Sequence, residues 1–157
     1  MERPPSTVVL EITEHERIRD YDALASVLAS YRAEGIRFAL DDVGEGHSTL
    51  ELLAASASEY LKLGRSLTMT STRVGSRAAM DATMAFARVS GAVVIAEVVE
   101  NEFVADLMKA GGIRLGQGFG LGRPTVASDV EDVASALSER AALSGLRPRA
   151  SSSQLAG

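Results

Sequence analysis

A chain of 157 residues that is 46% apolar and 24% charged has the length and balance of one globular domain with its own core. Its net charge of −5 argues against a broad nucleic-acid-binding face, and an aromatic content of 4% disfavours a base-stacking platform. The absence of cysteine excludes disulfides and thiolate metal sites, no apolar run is long enough to span a bilayer, and no signal-peptide pattern follows Met1-Glu2-Arg3-Pro4-Pro5, so the expected setting is cytoplasmic.

In chain order, a short irregular lead precedes Thr7–Ile12, a β-branched run that predicts a strand. A polar loop over Thr13–Asp22 leads into an amphipathic helix marked by Leu24, Val27, Leu28 and Tyr31, which Gly35 closes as a left-handed cap. The strand Ile36–Leu40 delivers Asp41 and Asp42, and Ser48-Thr49-Leu50-Glu51 opens a short helix carrying Leu50, Leu52 and Leu53. Tyr60–Leu63 predicts a third strand with Lys62 inside it. Gly75–Ser90 predicts a helix with Ala79, Met80, Thr83, Met84 and Phe86 on its packing side, stopped by Gly91. Ala92–Glu97 is the clearest strand. A helix follows from about Asn101 to Ala110, bearing Phe103, Val104, Leu107 and Met108. Gly111-Gly112 breaks it before a weak strand, Ile113–Leu115, and a glycine-rich exit over Gly116–Pro124. Asp129 to about Leu143 predicts a last helix, and residues 144–157 have the composition of a disordered tail. The domain expected is therefore 1–143.

Strand and helix alternate through the chain, which predicts parallel strands joined by helical crossovers. Strands apolar throughout imply a sheet buried on both faces. The unequal intervals between units exclude a solenoid. Each strand ends in a polar or charged group: Glu11, Asp41 with Asp42, Lys62, Glu97 and Gln117. In a parallel α/β sheet those ends share one side, where ligands bind. Adjacent carboxylates repel unless a cation lies beside them, and an acid-rich set without cysteine suits Mg²⁺ or Mn²⁺ better than zinc. A plainer account has Asp41 ending a strand, Asp42 capping a turn and Lys62 forming a structural ion pair with either.

Five stretches together resemble the C-terminal part of the EAL domain, the bacterial cyclic-di-GMP phosphodiesterase family. Leu10-Glu11-Ile12-Thr13-Glu14 resembles the ELTE strand end, and Asp41 through Leu50 is similar to the DDFGTGYSSL loop. Leu61-Lys62-Leu63 matches the KID strand, Ala96-Glu97-Val98-Val99-Glu100 the AEGVE segment, and Gln117 to Pro124 the QGF…GRP ending. The resemblance implies a modified TIM-like β/α barrel, of which about five parallel βα units are present. It implies a two-metal site with Glu11 and Asp41 on one ion, Asp41 bridging, and Asp42 and Glu97 on the other. Lys62 would contact the attacking water, Gln117 would help to hold water or substrate, and Glu14 and Glu100 would anchor the loop and strand end beside the metals. The chemistry implied is hydrolysis of a phosphodiester to linear pGpG.

The chain also departs from that pattern. The strand carrying the EAL motif and the following asparagine-bearing strand have no counterpart in it, so the expectation is a truncated domain with an incomplete first metal site. Val43 stands for Phe, Glu45 for a small hydroxyl residue, His47 for Tyr, Gly64 for the Asp of KID, and Val98 for the Gly of AEGVE. Five strands would leave two open sheet edges, to be covered by a second copy or a partner protein. The resulting expectation is a degenerate EAL-like domain of cyclic-di-GMP signalling, weakly active or inactive alone, acting through binding or oligomerisation. The alternative is an active phosphodiesterase completed by another chain. Neither involves a nucleic-acid polymer or a membrane.

Overall fold

The computed structural model describes residues 4–13, 18–45, 50–70 and 72–124. Met1–Gly122 forms one compact unit and Arg123–Gly157 another, and the elements below belong to the first. Glu14, His47, the helix expected from Asp129 and the expected tail lie outside the described residues.

Five strands, β1 (Val9–Ile12), β2 (Arg37–Val43), β3 (Tyr60–Leu63), β4 (Val93–Ala96) and β5 (Leu115–Gly116), form one sheet in the order β1-β2-β3-β4-β5. Every pairing is parallel. Strands laid down in sequence order are successive staves of a β/α barrel; a doubly wound sheet would reverse its order at a switch point. The helices between them are α1 (Tyr21–Ala33), α2 (Leu50–Ser56), α3 (Arg65–Met69), α4 (Val74–Ser90) and α5 (Glu102–Ala110). The expected β/α class is therefore present. Among the described residues, no helix is long and apolar enough to cross a membrane.

Local chemistry sets the helix ends. Asp20 caps α1 by accepting the Ala23 N–H at 2.8 Å. Gly35, at φ 90°, donates to the Arg32 carbonyl while Ile36 donates to that of Tyr31, the paired bonds of a Schellman stop. Asn101 caps α5 through the Val104 N–H at 3.0 Å. Arg32 lies over the Phe38 ring and donates to Glu59 Oε1 at 2.7 Å, and Glu59 Oε2 accepts the Phe38 N–H at 2.7 Å. Burial raises the Glu59 carboxyl, but Arg32 and the Phe38 N–H outweigh it and hold the group below its ordinary value.

The core lies where β2, β3 and β4 meet α2, α4 and α5: Leu40, Leu52, Leu61, Leu63, Met80 and Val99 are almost wholly buried. Several expectations need correction. The sheet is not buried on both faces throughout. β1 and β5 are the edge strands and are largely exposed, and Val93 is exposed in β4, because burial requires neighbours on both sides. Thr7 belongs to a single 3₁₀ turn over Pro5–Thr7, where Pro5 withholds a ladder donor. In α4 the buried face is Met80, Thr83 and Ala87, with Ala79 outside it. Val27, Tyr31 and Phe103 are exposed despite their helical spacing. The short helix α3 is an element that apolar periodicity alone does not reveal, since five residues are too few to show a period.

Candidate metal centre

β2 and β3 pair as Leu40↔Leu61 and next as Val43↔Leu63, so Asp41 and Asp42 together face Lys62. Two residues opposite one is a β-bulge, which re-aims the side chains it carries. Asp42 adopts φ 52°, a left-handed conformation that Asp tolerates better than most residues. In a regular strand the two carboxylates would point to opposite faces. Here an oxygen of Asp41, one of Asp42 and one of Glu97 lie within 4.8 Å of one another.

Glu97 immediately follows β4 and donates its N–H to the Leu63 carbonyl at 3.3 Å. Gln117 immediately follows β5, donates its N–H to the Ala96 carbonyl at 2.8 Å and accepts from Val99 N–H at 3.0 Å. This stitching places Gln117 Nε2 at 2.9 Å from Glu97 Oε1. It also demands glycine at 118, where a Cβ would sit 2.3 Å from Val99 N.

Lys62, with its side chain 7% exposed, sends Nζ to Glu11 Oε1 at 2.9 Å, Asp41 Oδ1 at 2.8 Å and Glu97 Oε1 at 3.0 Å. Burial pushes its ammonium down, but the three carboxylates outweigh that and hold it well above the ordinary lysine value. Glu97 moves upward: burial is the largest cause, Lys62 opposes it, and the charges of Asp41 and Asp42 add to it. The directions for the two partners are compatible because one ammonium is shared among several acids and cannot neutralise them all.

The residues present fit a divalent cation. Asp41 Oδ1 is buried without a hydrogen bond of good geometry, although Lys62 Nζ is close. The donor set is all carboxylate, which suits hard cations. Asp41, Asp42, Lys62, Glu97 and Gln117 are thus brought together, and the ion pair offered as the plainer account of Lys62 is present as well. Glu11 reaches the group through Lys62 from an exposed position on β1. Glu100 lies outside the acidic cluster, exposed, with its carboxylate 3.9 Å from Arg65 of α3. Sequence reading missed Glu45 as a structural partner: its Oε1 accepts the Ser66 N–H, a contact 21 positions apart for which no local pattern exists.

The EAL domain family model matches residues 2–124. The bifunctional diguanylate cyclase/cyclic di-GMP phosphodiesterase MucR of Pseudomonas aeruginosa is 33% identical over 127 residues, covering 80% of this chain and 18% of its own length. The crystal structure of the EAL domain of Mycobacterium smegmatis DcpA aligns with TM-score 0.75 at 30% identity, covering 85% of this chain and 60% of that one. Klebsiella pneumoniae BlrP1, in a manganese/cyclic-di-GMP complex, aligns with TM-score 0.70 at 32% identity over 78% of this chain and 31% of its own. The chain therefore spans less than two thirds of each of these proteins. A bulged Asp-Asp pair opposite a strand lysine, closed by Glu97 and Gln117 just after the next two strands, sits within the matched residues, and the chain belongs to the EAL domain family.

Proposed function

We propose that this chain is a cation-dependent cyclic-di-GMP-binding EAL module that, as a 157-residue chain, hydrolyses its ligand slowly. The observation that carries this reading is the convergence of Asp41, Asp42 and Glu97 oxygens within 4.8 Å of one another, more carboxylates than the one ammonium of Lys62 neutralises. The manganese/cyclic-di-GMP complex of BlrP1 supports the choice of ion and ligand.

In this reading Asp42 and Glu97, with Asp41, would hold one Mg²⁺ or Mn²⁺, and Glu11 with Asp41 would serve a second, weaker position. Bound ions supply positive charge for the phosphodiester and lower the pKa of coordinated water. Lys62 is held so firmly protonated that it acts as a fixed cation and donor rather than a base. It screens the acids around it and would orient a water. Gln117 spends an N–H on Glu97 and retains its amide oxygen to accept from that water. Slow hydrolysis follows from the first position, where Glu11 is exposed on the edge strand and already engaged by Lys62.

A second reading, an active phosphodiesterase completed by another chain, is favoured by β1 being the exposed edge strand beside the site among the described residues. Calorimetric titration with cyclic-di-GMP in Ca²⁺, alongside a hydrolysis assay in Mg²⁺ and Mn²⁺, separates them. Binding that Asp41→Ala abolishes, with turnover far below about 1 s⁻¹, is expected. Ordinary turnover lost in Asp41→Ala selects the second reading, and absence of binding overturns both.

A further inference from the structure

Asp42 lies at the start of a turn that a distant side chain fastens down. The Glu45 N–H closes the turn on the Asp42 carbonyl at 2.9 Å, and the Glu45 carboxylate reaches across to Ser66 N–H at 2.5 Å, in the first turn of α3. Gly64, the N-cap of α3, has no side chain to satisfy that donor, so Glu45 does so from another segment. Two more bonds follow the same seam: Gly64 N–H to the Val43 carbonyl at 3.1 Å and Ser66 Oγ to the Gly44 carbonyl at 3.4 Å. Leu67 packs so closely on Gly44 that a Cβ there would meet its Cδ1.

The fit is reciprocal. A Cβ on residue 64 would stand 2.3 Å from Glu45 Cγ, so a side chain there would push the Glu45 carboxylate from the position it holds across α3. Gly64 has φ −63° and ψ 165°, which any residue adopts, so its glycine is required by Glu45 and not by the backbone. Two of the five positions that depart from the resembled pattern, Glu45 and Gly64, are thus in contact with each other.

We propose that Glu45 is a positioning residue, which holds the Asp42 carboxylate in the acidic cluster by tying the β2 exit turn to the start of α3. The inference rests on the reading of Asp41, Asp42 and Glu97 as a divalent-cation site. Asp42 is exposed and in a left-handed conformation, and the strap limits the relaxation of its turn. Glu45 is not among the clustered ligand atoms, and its effect passes through the backbone of residues 42–45.

Manganese titration of the 157-residue chain, read by the electron paramagnetic resonance of free Mn²⁺, tests this. Glu45→Ala is expected to weaken binding about tenfold or more, the scale on which outer partners of metal ligands act. Glu45→Gln keeps an oxygen for Ser66 N–H and should retain most of the affinity. Gly64→Ala should weaken binding as Glu45→Ala does, and should have no further effect once Glu45 is already Ala. Equal losses in the Gln and Ala variants would point to charge alone, and additive losses at 45 and 64 would point to separate effects; either overturns the proposal. Mn²⁺ binding that Asp41→Ala abolishes and Glu45→Ala leaves intact overturns the role of Glu45 alone. Binding indifferent to Asp41→Ala overturns the cation-site reading, and the role of Glu45 with it.

Discussion

Asp41 Oδ1 and Lys62 Nζ are 2.8 Å apart across the β2–β3 ladder, at the one place where its register slips. A buried ammonium is tolerable only with acids around it, and those acids crowd together only with a cation among them. Each group thus explains the burial of the other, and the site's charge is set by residues on four strands or strand ends: Glu11, Asp41 with Asp42, Lys62 and Glu97.

Replacing Lys62 by Met leaves these carboxylates without their shared ammonium. Unfolding in urea should show a loss of about 3 kcal/mol in chelator, within the range for breaking one side of a buried pair. Mn²⁺ should restore more stability to this variant than to the parent chain. A variant as stable as the parent in chelator would show that the ion pairs contribute nothing.

The pH response of the metal-free chain follows from Glu97, whose carboxyl is held above its ordinary value of 4.5. A raised acid favours folding while protonated, so this contribution is complete below pH 4.5 and disappears as pH rises through the higher folded value. Thermal midpoints should therefore show a component that declines with rising pH above 4.5, absent in Glu97→Gln and suppressed by Mn²⁺. Lys62, raised above its usual range, adds no slope near neutrality.

Glu59 has the opposite sign. Its carboxyl is held below 4.5, so it stabilises the fold above that pH and the benefit is lost as pH falls through its lower folded value. Glu59→Gln should reduce stability at pH 7 by about 1.5–3 kcal/mol, the range for a hydrogen bond to a charged group. The difference from the parent should shrink in acid, as pH-dependent urea midpoints would reveal. A constant difference at every pH would contradict the assignment.

Val98 stands at φ 55°, a conformation costly for a β-branched residue. Val98→Gly should stabilise by about 1 kcal/mol, the relieved strain being partly offset by the greater freedom of glycine in the unfolded chain. At Gly118 the direction reverses. Gly118→Ala drives a methyl into the Val99 backbone and should destabilise by about 1–3 kcal/mol. Gly122→Ala, with open space around it, serves as the neutral comparison.

The order of elements and the parallel class were legible in the chain because each depends on nearest neighbours: β-branched runs, the helical spacing in α5, and the Gly35 stop of α1. Burial was less legible. Val27 and Phe103 have the right spacing and remain exposed, since spacing describes one face of a helix and not what lies against it.

By itself, the sequence determined which acids exist and, through its strand–helix alternation, that they gather toward one side of a parallel sheet; the structure carries β2 on through Asp41 and Asp42 to Val43. Tertiary structure alone decided that Asp41 and Asp42 lie together, because adjacent strand residues diverge unless a bulge turns one back, and the slip appears only when β2 meets β3. It also decided that Lys62 serves three carboxylates at once and that Glu45 needs Gly64. Those contacts join residues about twenty or more positions apart, and only the packed chain holds them at bonding distance.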